Sequence, residues 1–335
     1  MIKTPLSIEE LDALAVEHFE NVEKYLRVKN KLVEGLMGLA APVFTYIIPR
    51  IDDFIMGRPA KLEELLAEVE PIANEVKNNY ITSNPQLSIV QVRKWFNNII
   101  FQVFNYDYDY GFTKRISGRL AYEHVDKLKL NTCPYCNAQF TFAIKKKGGK
   151  KARPHLDHFL DKASHPYFAL SFYNLIPSCY TCNSSLKGSD PFRVTSHIHP
   201  MLESVESVVK FRTNISDVDF LVHKKDFELE FLYDDSKDPG LKERAETSLG
   251  SFLIRDRYKF HKNYASDIIT KAHVYSENTV SEIYYDYKSI FSSENEVWDL
   301  LMGNILNVDN HHQRILSKMA RDIAEEFGIV ILPKE

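Results

Sequence analysis

Four cysteines are the residues of this chain whose types and spacing most clearly predict chemistry. They form two pairs, Cys133 and Cys136 in CPYC and Cys179 and Cys182 in CYTC, with forty-two residues between the pairs. Each pair has the spacing at which two thiolates reach one ion, and four thiolates complete the tetrahedral shell of a structural Zn²⁺. Because such a shell leaves no open coordination position, the predicted zinc holds a frame and takes no part in a reaction.

Two other uses of paired cysteines are the alternatives. Disulfides form in oxidising compartments, but the N-terminal stretch MIKTPLSIEELDAL lacks the basic start and apolar run of a secretory signal. A redox CxxC site is weakened because the chain has two such pairs and no other cysteine. The longest apolar stretch, residues 36–49, is shorter than the roughly 20 residues of a membrane-spanning helix. A cytoplasmic location is therefore expected.

A basic hairpin is predicted between the two cysteine pairs. Residues 139–144 and 153–159 have strand-like composition and are joined through Gly148-Gly149, a typical hairpin turn. A charge run is usually a solvated surface, but here it lies beside candidate catalytic residues in a chain of net charge −4. Attraction of phosphate groups is therefore the alternative for the six basic residues of the hairpin. These residues are Lys145, Lys146, Lys147, Lys150, Lys151 and Arg153.

Further polar residues follow the hairpin. Asp157 and His158 are adjacent in HLDHF, so a strand places them on opposite faces unless the chain bends. His155 shares the face of Asp157 and is a candidate metal ligand or phosphate contact, with strand packing as the alternative. Asn183 directly follows the last cysteine, on the first turn of a predicted short helix. Lys187 lies four residues later on the same helical face and is a candidate phosphate contact.

The elements around the cysteine-rich segment are predicted to be mainly helical. Ser7 and Glu10 have the spacing of a capping box at the start of a first helix. Residues 89–103 place apolar side chains on one helical stripe, which favours core packing over a partner groove. NYDYDYGF (105–112) interrupts this pattern and is expected to be a loop. FELEFLY (227–233) alternates as a strand does, and a last helix is expected to end at Gly328.

At residues 155–188 (HLDHFLDKASHPYFALSFYNLIPSCYTCNSSLKG), extended by the first cysteine pair, the chain resembles the HNH nucleases with the ββα-metal fold. The resemblance covers about 60 of the 335 residues, and eight positions match the motif in order. The third motif position is often His in this family and is Asn183 here. The fold implied is α+β: mainly helical lobes (1–130 and 201–335) around a zinc-stapled HNH module (131–200).

The resemblance also implies a role for each motif residue. Asp157 and Asn183 would bind one catalytic cation, Mg²⁺ or Mn²⁺, through oxygen atoms. His158 would act as the general base that takes a proton from the attacking water. Asn174, in SFYNLIPSC, would orient the His158 ring without touching the metal.

The implied substrate is nucleic acid, with DNA the commoner target in this family and RNA such as tRNA the alternative. The motif style looks like the HNH subunits of bacterial antiphage systems such as Septu and some retrons, which implies an ATPase partner subunit. A non-catalytic zinc-ribbon binding module is the rival class. It would explain the cysteines and the basic hairpin, but not Asp157, His158 and Asn174 together.

Overall fold

The protein is described by a computed structural model that covers residues 1–146, 151–215, 220 and 226–331. Helices dominate the first 130 residues, as the sequence predicts. Ser7 accepts a hydrogen bond from the Glu10 backbone N–H, and the Glu10 carboxylate accepts one from the Ser7 N–H at 2.8 Å, so the predicted capping box is confirmed. The helices are α1 (Ile8–Leu26), α2 (Val28–Gly35), α3 (Ala41–Ile47), α4 (Ile51–Met56), α5 (Pro59–Ser83), α6 (Ile89–Val103) and α7 (Arg115–Lys127).

The described strands form three antiparallel pairs. β1 (Ile144–Lys145) pairs with β2 (Lys151–Ala152), β3 (His155–His158) with β4 (Leu175–Ser178), and β5 (Val209–Thr213) with β6 (Leu229–Tyr233). A π-helix (Thr181–Lys187) follows β4 and carries Cys182 and Asn183. Short 3₁₀ helices lie at Ile48–Arg50, Pro166–Phe168, Phe172–Asn174, Lys259–His261 and Val308–Gln313.

The C-terminal region is helical after β6. The strand predicted at 227–233 is confirmed over Leu229–Tyr233 (β6). Leu229 is buried and the next residue, Glu230, is exposed, as the alternation predicts. The last helix ends close to Gly328, which has the positive φ of 92° typical of a residue just beyond a helix. The helices are Pro239–Ser251, Ile254–Tyr258, Lys262–Val274, Glu277–Asp286, Glu294–Met302 and Ser317–Glu326.

The apolar stripe of α6 packs into the protein interior. Val92, Phe96 and Val103 are buried and Ile99 is half-buried, whereas Ile89 at the start of the helix is exposed. Core packing therefore explains most of this stripe. NYDYDYGF forms turns between α6 and α7, which confirms the predicted loop.

β1 and β2 pair as the predicted hairpin requires, and its Gly148-Gly149 turn lies outside the described residues. The predicted bounds of its two strands are wrong. Only Ile144 of residues 139–144 belongs to a strand, and it pairs with Ala152. Pro154 separates β2 from β3, because proline has no N–H to donate to a ladder. β3 then pairs with β4, and His158 lies opposite Leu175. The module is thus built from two successive pairs instead of one long hairpin.

One buried cluster of apolar side chains extends through all three predicted domains, from Met1 to Ile329. The chain start also contacts the cysteine-rich segment, since Ile2 N–H donates to the Pro134 carbonyl at 2.9 Å and Thr4 N–H to the Pro200 carbonyl at 3.0 Å. The boundaries at residues 130 and 200 remain a prediction. Within the described part of the chain, no helix is long and apolar enough to cross a membrane.

Candidate metal centre and adjoining cleft

The four cysteines come together as the sequence predicts. Their Sγ atoms all lie within 4.8 Å of one another, and all four residues are buried. The Sγ atoms of Cys136 and Cys179 are 3.9 Å apart. Sulfurs at tetrahedral positions on Zn²⁺ are about 3.8 Å apart, because each Zn–S bond is about 2.3 Å. The donor set therefore fits a four-thiolate zinc ion.

Local turns build both halves of this cysteine cluster. In the first, Asn137 adopts a left-handed conformation (φ 48°) and its N–H returns to the Cys133 carbonyl at 2.7 Å. The Ala138 N–H donates to Cys136 Sγ at 3.5 Å, and the Cys182 N–H to Cys179 Sγ at 3.4 Å. Such N–H···S bonds stabilise thiolate charge, as does any nearby cation.

The C-terminal region braces the cysteine cluster from outside. Arg257 Nη1 lies 3.3 Å from Cys182 Sγ and brings a positive charge to the thiolates. The Tyr258 hydroxyl donates to the Cys136 carbonyl at 2.6 Å. The Leu316 N–H donates to the Asn137 carbonyl at 2.6 Å, so the start of the last helix is fastened to the first cysteine turn.

A cleft of about 670 Å³ borders the module and gathers three of the four predicted catalytic residues. Asp157, His158, Asn183 and Lys187 line it, together with His155. The loop at 105–112, α7, the hairpin and the chain after β3 contribute further lining residues. These additional residues include Tyr106, Asp107, Lys151, Arg153, Asp161 and Lys162.

Asp157 is fixed by two side chains. The Tyr135 hydroxyl, from within the first cysteine pair, donates to Asp157 Oδ2 at 2.6 Å, and Lys187 Nζ donates to Oδ1 at 3.1 Å. Both Asp157 and Lys187 are only 2% exposed. A buried carboxylate needs such partners, because an uncompensated charge in the interior is costly.

Lys187 has a different position from the one expected of a phosphate contact. Its Nζ donates to the His158 carbonyl at 2.7 Å as well as to Asp157, and lies 5.0 Å from the Phe192 ring centre. The ammonium group is therefore directed into the protein, where it joins the side chain of one motif residue to the backbone of the next. The expected phosphate contact is replaced by this internal ion pair, because Asp157 is buried beside it.

His158 is the last residue of β3, and the chain bends directly after it. Its Nε2 donates to the Ala169 carbonyl at 3.1 Å, because a carbonyl oxygen can only accept. Nδ1 is then the nitrogen that can take a proton. Burial, helped by the positive charges of Lys162 and Lys187, lowers the pKa of His158 well below its usual range. The imidazole is thus neutral at pH 7, the form that a general base requires.

Asn174 does not contact the His158 ring directly. Its Oδ1 accepts from the Leu160 N–H at 2.6 Å, and its Nδ2 donates to the carbonyls of Leu160 and Phe168 at 3.1 and 3.0 Å. These bonds fix both ends of the loop that leads to Ala169, whose carbonyl accepts from His158. Asn174 thus reaches the His158 ring through the backbone.

Asn183 and His155 meet at the edge of the cleft. Asn183 Nδ2 donates to His155 Nδ1 at 3.2 Å and to Ser184 Oγ at 3.2 Å. The amide nitrogen of Asn183 is therefore occupied as a donor, and its Oδ1 is the atom that suits a cation. The His155 ring also lies edge-on against Tyr180, with ring centres 5.4 Å apart.

Three buried histidines hold the segment that contains Asn174. The Nε2 atoms of His18, His124 and His199 donate to the carbonyls of Leu170, Leu175 and Tyr173 at 2.8, 2.7 and 3.0 Å. Burial lowers the pKa of His18 to about 4 and those of His124 and His199 to about 3. All three are neutral at pH 7 and donate one N–H each.

The basic residues of the hairpin are only partly described. Lys145 pairs with Asp126 at 2.7 Å, Lys146 is exposed, and Lys151 lines the cleft. Lys147 and Lys150 lie outside the described residues. The structure therefore places Lys151 beside the candidate catalytic residues and Lys145 in a surface ion pair.

The position expected for a catalytic cation is the least preformed part of the cleft. Among the described residues, the four cysteines form the only group of three or more His, Cys, Asp or Glu side chains that lie close enough to share an ion. Asp157 and Asn183 nevertheless offer two oxygen donors to one cleft, which suits Mg²⁺ because this ion keeps several water ligands. The donor chemistry fits, although Asp157 would share its carboxylate between the cation and Lys187.

Several residues of this site were not predicted from the sequence. Tyr135 carries no signal beyond its place between two cysteines, and His18 and His124 are far from the motif along the chain. Tyr106, whose ring packs edge-on against His158 at 4.5 Å, lies in the Tyr/Asp-rich loop. The alternation of Tyr and Asp in that loop was the one available signal.

Comparisons of the chain with known proteins gave no match to a family model, a curated protein or a solved structure. The functional interpretation therefore depends on the residues and their geometry.

Proposed function

We propose that this chain is an HNH-type endonuclease that hydrolyses phosphodiester bonds of nucleic acid. One observation carries the proposal: Asp157, a neutral His158 and Asn183 line a single cleft next to the cysteine cluster. A zinc-binding module without catalysis would need no such arrangement. In particular, it would not need a buried carboxylate beside a histidine with a proton-accepting nitrogen.

His158 is the proposed general base. Its Nε2–H is fixed on the Ala169 carbonyl, so Nδ1 takes the proton of a water that attacks phosphorus. The low pKa of this imidazole means that the base is ready at neutral pH. Tyr106 and the backbone bond to Ala169 hold the ring in one orientation, which fixes the position of the attacking water.

Asp157 and Asn183 are the proposed ligands of the catalytic cation, Mg²⁺ or Mn²⁺. When bound, this cation stabilises the charge that develops on the phosphoryl oxygens and on the leaving oxygen. Tyr135 and Lys187 keep the Asp157 carboxylate in place. A four-thiolate zinc would join the first cysteine turn to the end of β4 and to the π-helix, and it would have no free coordination position.

The cleft also suits a polyanionic substrate. Four cationic side chains line it against three acidic ones, so the lining carries a net positive charge; these are Lys151, Arg153, Lys162 and Lys187, and Asp107, Asp157 and Asp161. A role in antiphage defence together with an ATPase partner subunit is part of the proposal. It rests on the motif style of residues 133–188.

The test is metal-dependent cleavage by purified full-length protein. Supercoiled plasmid and total tRNA are incubated separately with Mg²⁺, with Mn²⁺ and without added divalent cation. Asp157→Asn and His158→Ala variants with wild-type zinc content are run beside the wild type. We expect cutting of one nucleic acid that needs added cation and falls at least about a hundredfold in His158→Ala.

The choice of substrate follows from the same gels, since plasmid nicking identifies a DNase and loss of intact tRNA an RNase. Equal cutting by wild type and His158→Ala would contradict the proposal. Binding of nucleic acid without any cutting, alone or with an ATPase partner, would favour the zinc-ribbon binding module.

A further inference from the structure

An extended segment of the hairpin presents apolar side chains to solvent. Phe140, Phe142 and Ile144 are 53%, 48% and 53% exposed, while Thr141 between them is 1% exposed. Alternate residues of an extended chain point to opposite sides, so the three apolar side chains share one outer face. This pattern inverts the usual one, in which the polar residue faces water. We name Phe140, Phe142 and Ile144 the exposed hairpin face.

The inversion has a structural cause. The Thr141 N–H donates to the Asn131 carbonyl at 2.8 Å and its Oγ1 to the Leu130 carbonyl at 3.1 Å, which fixes the inner side of the segment. The Phe140 and Phe142 rings are 5.5 Å apart and tilted by 47°. Two large rings are thereby held outward on a fixed backbone. An exposed apolar surface of this kind indicates a binding site.

The exposed hairpin face leads into the cleft. Ile144 lies opposite Ala152, and Lys145 opposite Lys151, in the antiparallel pair β1–β2. Lys151 and Ala152 line the cleft that contains Asp157 and His158. A ligand that covers the exposed hairpin face therefore extends along β2 to the candidate catalytic residues.

The charge beside this face identifies the ligand. Lys146 alternates with Ile144 and is exposed, while Lys151, which is opposite Lys145, lies on the other side of the β1–β2 pair and lines the cleft. Lysines next to exposed aromatic rings are the arrangement that binds single-stranded nucleic acid, since bases stack on the rings and phosphates contact the cations. Paired and stacked bases of a duplex do not offer their faces to such rings.

We propose that the exposed hairpin face binds unpaired bases of a single-stranded nucleic acid and directs that strand into the cleft. The choice of nucleic acid as ligand rests on the proposed nuclease function. Phe140 and Phe142 stack on bases, Ile144 packs beside them, and Lys146 contacts a phosphate of the same stretch. Lys151 contacts a phosphate where the strand enters the cleft. The preferred substrate is then a strand with an unpaired stretch rather than a continuous duplex.

Fluorescence anisotropy tests this proposal with full-length His158→Ala protein and no added divalent cation, so that no strand is cut. The probes are a labelled single-stranded oligonucleotide of mixed sequence, as DNA and as RNA, and the matching duplexes. The variants are Phe140→Leu and Phe142→Leu, singly and together, which keep apolar bulk but remove the ring. Tyr285→Leu, another exposed aromatic residue on the helix Glu277–Asp286, is the matched control.

We expect the single strand to bind more tightly than its duplex and each ring removal to weaken single-strand binding about tenfold. Tyr285→Leu should leave both affinities unchanged. Lys146→Ala and Lys151→Ala should each make the negative slope of log K against log salt shallower by about 0.7. Zinc content and circular dichroism verify that the variants are folded.

An unchanged single-strand affinity in the folded Phe140→Leu/Phe142→Leu protein overturns the proposal and leaves a partner protein as occupant of the face. This outcome is separate from that of the nuclease test. If the wild type cuts but binding does not depend on the rings, only the binding role of the exposed hairpin face is refuted. If binding depends on the rings but nothing is cut, only the nuclease proposal is refuted.

Discussion

The cysteine cluster and the cleft adjoin each other but are held in different ways. The cluster is made by two short turns, each with its own N–H···S bond, and four identical ligands. The candidate catalytic residues instead depend on side chains from separate segments of the chain: Tyr135 and Lys187 hold Asp157, and Tyr106 packs against His158. Each half of a metal site can thus be built by a local turn, whereas the position of a candidate catalytic side chain depends on several separate segments.

The difference predicts how mutations act. Loss of a cysteine should remove the frame and everything attached to it. Loss of a cleft residue should change stability or chemistry while the zinc stays bound. Three substitutions and a pH titration distinguish these two kinds of effect.

Cys136→Ser should have the largest effect. The hydroxyl is a poor zinc ligand, and binding of structural zinc supplies folding free energy on the order of 10 kcal/mol in small zinc modules. We expect zinc loss and unfolding of the module, measured by metal analysis and thermal denaturation. Ser178→Ala is the control, because Ser178 Oγ is buried without a hydrogen-bond partner among the described residues. Retention of one zinc per chain in Cys136→Ser would argue against a four-thiolate site.

Lys187→Met should destabilise the protein by about 3 to 5 kcal/mol, because it leaves the Asp157 carboxylate buried without its cation. Urea denaturation measures the change in unfolding free energy, and the zinc content should stay at the wild-type level. Lys162→Met is a matched control: Lys162 also lines the cleft, but its side chain is 30% exposed and pairs with Asp107 at the surface. We expect less than about 1 kcal/mol there. Equal effects of the two changes would show that Lys187 is not the internal partner of Asp157.

His124→Phe should cost about 1 to 3 kcal/mol, since the Leu175 carbonyl loses its buried donor while the ring volume is kept. Urea denaturation is again the measurement. The change should also disturb the position of His158, because Leu175 lies next to Asn174 and opposite His158. The zinc should stay bound. A wild-type stability would mean that this histidine does not hold the segment.

Mild acid should lower the free energy of unfolding at pH values where most carboxylates are still ionised. Burial lowers the pKa of His18 to about 4 and that of His124 to about 3. Because the unfolded chain binds these protons near pH 6.5 and the folded chain does not, stability is complete above pH 6.5 and falls below it. Each such histidine contributes about 0.8 kcal/mol of loss at pH 6. Urea titrations at several pH values measure this slope, which should be smaller in His124→Phe; a flat profile between pH 8 and 5 would contradict it.

The sequence predicted features whose causes are local. The capping box at Ser7 and the cysteine pairs need only a few neighbouring residues, and both appear in the structure. The position of Lys187 could not be predicted, because its helical spacing does not show that Asp157 would lie buried within its reach. The pairing of β3 with β4 was missed for a similar reason: the hairpin signal at Gly148-Gly149 favoured a near partner, while Pro154 made a distant one necessary.

We propose a structural role for the cysteine cluster and a catalytic role, as general base, for His158. The most direct test measures zinc content, unfolding free energy and metal-dependent cleavage on the same preparations of wild type and His158→Ala. We predict one zinc per chain in both, similar stability, and cutting by the wild type alone. Cutting by His158→Ala at the wild-type rate, with zinc and stability unchanged, would contradict the claim.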